Sequence, residues 1–243
     1  MAEFPYLYCN SWAEANRRGE TERHEESFRQ NVSCARAIEQ AIRDYSSEAD
    51  DGLKEGCAQS VLEQYGFRRV NFVLANSLRE TGFQYLISDE THQWGQRTFV
   101  PADGKYNRYF AVDTAIVCLE SFIRQARDAY QSLGLFGPEH CVEESKRLDY
   151  TGKVLVLRPD VMKESCWSPQ NCLWEAHAGF GCSPTAVGRA VYATCLGDGE
   201  QARWDRGDFA GVLKDEFLPD WAREKLEELH APKQDMPSMG GMS

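Results

Sequence analysis

The sequence predicts an α+β fold: a helical module over residues 1–150, a small antiparallel β-rich module with a C-terminal helix over 151–230, and a flexible tail over 231–243. Three observations carry this. Apolar residues recur every three to four positions before Asp149-Tyr150-Thr151-Gly152, and run continuously or alternate after it. Lys153-Val154-Leu155-Val156-Leu157-Arg158 is short, β-branched and bounded by Gly152 and Pro159, as a buried strand is. Gly197-Asp198-Gly199 joins two apolar-alternating segments, Arg189 to Leu196 and Glu200 to Asp205, as a tight hairpin does.

The helices follow in order. Ser11-Trp12-Ala13-Glu14 has the form of a capping box, and Gly19 stands where a C-cap is wanted, so a short first helix lies between them. From about Glu22, the stripe Phe28, Val32, Ala35, Ile38, Ile42 and Tyr45 keeps one helical face apolar. Glu25 to Arg29 and Glu39 to Arg43 are spaced to pair on its wet side, and Asp50-Asp51-Gly52 stops it. Leu53, Cys57, Val61 and Tyr65 continue the spacing to a C-cap at Gly66, and Val70, Val73, Leu74, Ser77 and Leu78 outline the next helix. Short connections imply antiparallel neighbours. Gly82, Gly95, Pro101 and Gly104 punctuate residues 82–111, which read as a long loop with one helical turn. Asp113 can cap the last long helix, whose stripe Ile116, Leu119, Ile123, Ala126, Tyr130 and Leu133 ends at Gly134.

In the second module, Cys172 to Ala178 is a weaker strand candidate. Pro219 suits a first helical turn, with Ala222, Leu226 and Leu229 following. The Pro-, Gly-, Met- and Ser-rich stretch from Ala231 has no period and reads as a mobile tail.

Composition narrows the function. No apolar run approaches the roughly 18 to 20 residues of a membrane span, and no basic-then-apolar leader opens the chain. The expectation is a cytosolic protein without membrane contact. Nine irregularly spaced cysteines fit reduced thiols better than a disulfide framework. Net charge is −11, with 17 Lys+Arg against 24 Asp+Glu over residues 1–150 and 10 against 14 over 151–243. Phosphate neutralisation dominates non-specific nucleic-acid affinity, so a chain with no basic stripe is a poor direct binder of DNA or RNA. An acidic surface does suit a basic protein partner such as a nuclease.

No run of residues carries a complete catalytic motif. Cys166, Cys172, His177, Cys182 and Cys195 are zinc-ligand types, but they lack the close pairs that a tetrahedral site takes from a tight knuckle. Neither metal nor cofactor is expected. Cys182 with His177 as base, oriented by Asp198, Asp205 or Asp208, supplies the residue types of a cysteine-dependent hydrolase or transferase, the alternative reading. Gly179-Phe180-Gly181-Cys182-Ser183-Pro184 has the glycines of a phosphate loop without the Gly-Lys-Ser/Thr ending or a following helix. It reads as a turn that presents Phe180 and Arg189. Arg206-Gly207-Asp208 reads as a turn before Phe209. Trp174, Phe180, Arg189, Trp204, Arg206 and Asp208 together have the residue types of a protein-recognition surface, where Trp and Arg carry much of the energy.

Two stretches carry a resemblance. Tyr6-Leu7-Tyr8 with Ala13-Glu14-Ala15 and Gly19-Glu20, Ala37-Ile38-Glu39-Gln40-Ala41-Ile42 and Val73-Leu74-Ala75-Asn76 resemble a domain-of-unknown-function family of large proteins from conjugative elements and phages of gut bacteria. Gly179 to Pro184, Gly188-Arg189 and Gly197 to Phe209 resemble a companion domain of the same setting. The resemblance implies a mobile-element context, in which small acidic proteins counter restriction or CRISPR nucleases. The leading expectation is therefore a non-enzymatic protein that binds another protein, as an inhibitor of a host defence nuclease does.

Overall fold

The computed structural model describes residues 4–46, 53–81 and 86–231, apart from the side chain of Lys105. The chain divides into two compact units, residues 1–133 and 134–243. The expected division after residue 150 thus moves to Leu133/Gly134. Residues 134–150, a polar connector by sequence, pair with the sheet of the second unit: the Val142 N–H donates to the Val212 carbonyl at 2.8 Å, and Cys141 bridges Leu213.

In the first unit, α1 (Trp12–Arg18) is capped as expected, the Ser11 hydroxyl accepting from the Glu14 N–H, and it ends at Gly19 in the left-handed region (φ 71°). Glu14 does not close the capping box; its carboxylate pairs with Arg17 and Arg18. Helix α2 (Thr21–Tyr45) buries Ala35, Ile38 and Ile42 on its apolar stripe. The expected i, i+4 ion pairs give way to i, i+3 pairs, Arg29 with Glu26 and Arg36 with Glu39. The Asp50-Asp51-Gly52 stop lies outside the described residues.

The two helices expected on either side of Gly66 are one element, α3 (Gln59–Glu80), kinked at Gly66, whose φ 77° and ψ 160° break the helical geometry. Such a backbone is open essentially to glycine alone. Residues 53–58 precede the helix rather than belonging to it. The long loop expected over 82–111 holds instead, among its described residues, α4 (Asp89–Arg97) and α5 (Lys105–Tyr109). Ser88 caps α4 by accepting from the Thr91 N–H, a start signal hidden by the absence of an apolar period. Gly95, an apparent breaker, lies inside α4 because a Cβ there would stand 2.8 Å from Leu78 Cδ1. Helix α6 (Ile116–Ser132) has Ala115, not Asp113, at its N-cap. The Asp113 N–H donates to Glu39 Oε1 at 3.0 Å. The core of this unit is contiguous, from Ile38 and Ile42 through Val70, Val73 and Leu74 to Phe122 and Ile123.

The second unit is a five-stranded antiparallel sheet of order β4-β3-β2-β1-β5: β1 (Val154–Leu157), β2 (Leu173–Ala178), β3 (Ala190–Cys195), β4 (Gln201–Asp205) and β5 (Phe209–Val212). The one-turn helix α7 (Pro169–Cys172) leads into β2, and α8 (Asp220–His230) follows Pro219, which is the N-cap rather than the first helical residue. One sheet face packs Val156, Leu173 and Leu196 with Ala222 and Leu226 of α8. The other buries Leu155, Leu157, Trp174, Val191 and Phe209 with Tyr150 and Met162. Alternation along the strands produces these two faces. Strand β5 had no separate sequence signal, since Phe209-Ala210-Gly211-Val212 is too short to show a period. The proposed tail, beyond Ala231, lies outside the described residues.

Candidate functional site

The residues singled out by sequence fall into three groups in the second unit. Trp174 is core: it is buried, its Nε1 donates to the Asn171 carbonyl at 2.8 Å, and it meets Trp204 edge-on at 5.2 Å. Trp204 is half-buried against it, with Nε1 enclosed and without a hydrogen-bond partner. Trp174 is thus enclosed, whereas Trp204 keeps part of its side chain at the surface.

Arg206 and Asp208 hold loops together. Arg206 Nη1 donates to the carbonyls of Gly181 (2.6 Å) and Cys182 (2.7 Å), and Nη2 to those of Lys146 (2.9 Å) and Leu148 (2.7 Å). Its guanidinium also stacks on Tyr150, with Cζ 3.7 Å from the ring centroid. Asp208 Oδ2 accepts from the Asp205 N–H at 2.8 Å and fixes the turn into β5.

Phe180 and Arg189 remain at the surface. Phe180 is 79% exposed, Val187 99% and Tyr192 45%. Glycines let the backbone pass close to two of them: a Cβ on Gly188 would stand 2.7 Å from Phe180 Cβ, and one on Gly179 would stand 3.2 Å from Tyr192 Cδ2. Arg189 is oriented by a bidentate contact from Nε to Asp205, 2.9 and 3.1 Å. Its Nη2 lies close enough to Gly207 that a Cβ there would be 2.8 Å away. Three apolar side chains in solvent beside an oriented Arg189 form a face suited to another macromolecule.

The Cys182 and His177 pair is not assembled. Cys182 is buried, its thiol donates to the Ala178 carbonyl at 3.1 Å, and among the described residues no hydrogen bond joins it to the exposed His177. Burial pushes the Cys182 thiol up, with a Thr151 hydrogen bond drawing it part of the way back. A nucleophilic cysteine requires the opposite direction. The nine cysteines are free thiols, and among the described residues no group of three or more His, Cys, Asp or Glu side chains could hold a metal ion.

Sequence reasoning missed a polar cluster in the first unit. The loop carrying Asp103 is fixed by Asn107, whose Oδ1 accepts from the Asp103 N–H (3.1 Å) and whose Nδ2 donates to the Pro101 carbonyl (2.9 Å). Asn76 of α3 anchors Asn107 in turn, donating to its carbonyl at 2.8 Å. The Asp103 carboxylate accepts the Trp12 N–H at 2.9 and 3.1 Å, so it satisfies the N-terminus of α1. Its Oδ2 also lies 3.5 Å from Nε2 of His24 on α2. His24 is 8% exposed, and its Nδ1 is enclosed with no partner. Nearby, Arg69 is 1% exposed and donates to the carbonyls of Ser27 (3.0 Å), Pro5 (3.0 Å) and Tyr6 (2.8 Å), as well as to Asn31 Oδ1. Burial lowers its affinity for its proton, the usual cost of enclosing a charge.

His24 borders two spaces. Toward Tyr8, Ser27, Asn31 and Asp103 lies a cavity of about 20 Å³, the room of a single water molecule. Trp12, His24, Glu25, Phe28, Arg29 and Tyr106 line the second, an open cleft of about 260 Å³. The rings stand edge-on in series: Tyr8 to His24 at 5.7 Å, His24 to Tyr106 at 6.3 Å and Tyr106 to Phe28 at 5.6 Å. The available signal was positional. His24 lies four residues before Phe28 and Asn31 three after it, so both are polar residues on the apolar stripe of α2.

Comparison with known proteins places the first unit in a family. No curated protein and no solved structure matches the chain. The family model described as protein of unknown function (DUF3849) matches residues 7–131, which contain α1 to α5, all but the last residue of α6, and His24 with Asp103. This match extends over just more than half of the 243 residues, and the chain belongs to the DUF3849 family.

Proposed function

We propose that this chain is a non-enzymatic cytosolic protein that binds another protein through the Phe180, Val187 and Tyr192 face, and that its partner is a basic nuclease of a host defence system. The observation that carries the reading is the exposure of Phe180 at 79% and Val187 at 99% on the glycine-containing segment 179–188. Large apolar side chains left in water are suited to seating in a partner's pocket. The net charge of −11 would steer a basic partner toward the chain. A mobile-element origin, with residues 151–230 as a companion domain, is part of this reading and is supported by the sequence resemblance.

The test is capture on the immobilised full chain from a host lysate supplemented with purified CRISPR and restriction nucleases, paired with cleavage assays. One nuclease should be retained near stoichiometrically and inhibited. Val187→Asp with Phe180→Ser should abolish both effects, because neither side chain supports the core. Nucleases that stay unbound and fully active would defeat the inhibitor reading. Capture unaffected by the double substitution would remove this face from it.

A further inference from the structure

We propose that the outer edge of β4 pairs antiparallel with the same edge of a second copy of this chain, joining the two sheets across a two-fold axis at Ala202. The pairing does not depend on the Phe180 face. The two edges of the sheet differ. That of β5 is covered, since the Val142 N–H donates to the Val212 carbonyl at 2.8 Å and Cys141 bridges Leu213. At β4, the Cys195 N–H donates to the Glu200 carbonyl and the Arg206 N–H to the Arg189 carbonyl, each at 2.8 Å, which fixes the phase of the ladder. Even-numbered residues of β4 therefore bond to β3, and Gln201, Arg203 and Asp205 turn their main chains outward. Asp205 is already served, its N–H donating to Asp208 Oδ2 at 2.8 Å. Among the described residues, nothing pairs with the main chains of Gln201 and Arg203 on this side, and both residues are exposed. An edge of this kind is a template for a further strand.

The pattern selects a second copy run antiparallel. With Ala202 facing Ala202, Gln201 of each chain meets Arg203 of the other, and each such pair exchanges both main-chain hydrogen bonds. Ala202 then takes the position between bonded pairs, where Cα atoms approach to about 4.5 Å and a small side chain fits best. Other centres conflict with bonds already made or with charge. A centre at Arg203 sets like charges opposite each other. A centre at Trp204 calls on the Asp205 N–H that Asp208 holds, and one at Gln201 calls on the Gly199 N–H, which donates to the Cys195 carbonyl at 3.0 Å. Beyond the paired window, the Asp205–Asp208 turn comes opposite the second copy's Gly199, which has no side chain and lies in open space. An unrelated strand carrying a side chain at that point would meet the turn.

The experiment is sedimentation equilibrium of the full chain, with residue-resolved amide hydrogen exchange at low and high concentration. A dimer should form with a dissociation constant of about 10–100 μM, as a short interface implies. The Gln201 and Arg203 amides should exchange severalfold more slowly at high concentration, whereas those of Ala202 and Trp204, bonded to β3, should not change. Gln201→Glu, which sets a carboxylate opposite each Arg203, should tighten the dimer about three- to tenfold, and Gln201→Arg should weaken it by a similar factor. Position 201 is exposed, so the fold tolerates both. A monomer at all concentrations up to about 1 mM would overturn the proposal. So would a dimer that leaves the Gln201 and Arg203 amides unprotected, or one indifferent to both charge variants. Protection of these amides in a monomer by an added peptide of alternating Thr and Val would assign the edge to another polypeptide and overturn it as well. No nuclease enters these readouts, so failure here and failure of the Phe180 face are distinguishable.

Discussion

The Arg206 guanidinium stands over the Tyr150 ring at 3.7 Å and donates to four backbone carbonyls from two loops. One side chain thereby holds residues 146–150 against 181–182 beneath the sheet. The Gly181 and Cys182 contacts are partly buried, where losing a donor is costly, although the Cys182 carbonyl also accepts the Tyr150 N–H at 2.9 Å; the Lys146 and Leu148 contacts are exposed.

Arg206→Ala should therefore destabilise the second unit by about 2 kcal/mol, and Arg206→Lys should recover only part, because an ammonium lacks the donors and the flat face of a guanidinium. Urea unfolding followed by tryptophan fluorescence checks this. Tyr150→Phe should be neutral or mildly stabilising, as the Tyr150 hydroxyl is enclosed without a partner. A loss as large as that of Arg206→Ala would show that the hydroxyl has a role the geometry does not give it.

Gly181 and Gly179 are fixed by backbone proximity. A Cβ at Gly181 would lie 2.1 Å from the Arg189 carbonyl oxygen, and one at Gly179 2.2 Å from that of Ala190. Gly179 also has φ 111°, where L side chains are strained. Either substitution to Ala should lower the unfolding midpoint by an amount corresponding to about 2 kcal/mol or more. Gly207→Ala supplies a comparison, since its nearest contact, at 2.8 Å, is the flexible end of the Arg189 side chain. Equal tolerance at Gly181 and at an exposed loop position would contradict the packing described.

Stability should fall in alkali for a reason visible in both units. Burial raises Cys34 from 9.0 to about 12, and Cys57, Cys141 and Cys172 each to about 11. A folded thiol that holds its proton more tightly than the unfolded one contributes stability below pH 9. That contribution is lost progressively from pH 9 up to the folded values, at about 1.4 kcal/mol per thiol per pH unit. Thermal melts from pH 8 to 11 should show the decline, and Cys34→Ala should flatten its slope. A slope unchanged by that substitution would assign the decline elsewhere.

Iodoacetamide at neutral pH should label exposed Cys166 well before Cys182, whose thiol is buried, donates to Ala178 and is shifted upward. Mass spectrometry of digested, partly labelled protein gives the order directly. Preferential labelling of Cys182 would restore the cysteine-nucleophile alternative.

The helical cap at Ser11, the left-handed Gly19, the stripe of α2 and the strands β1, β3 and β4 are legible in the chain because each depends on neighbours within a turn or a hairpin. The hidden elements depend on distant partners. Helix α4 carries Gly95 against Leu78, and β5 is a strand because β1 offers it an edge. The candidate recognition residues divided for the same reason. Types alone could not distinguish Trp174, enclosed by the sheet, from Phe180, turned outward on a glycine loop.

What the sequence by itself determined is the order and class of the elements: helices first, antiparallel strands second, a helix to close, with a net charge of −11. Local hydrogen bonding and the period of apolar side chains are written in adjacent residues. Only the tertiary structure decided where the polar chemistry gathers. Asp103 reaches the Trp12 N–H across 91 positions of sequence and comes within 3.5 Å of His24, and Arg206 reaches Lys146 across 60. Such convergence comes from chain closure around a packed core, which no window of neighbouring residues encodes.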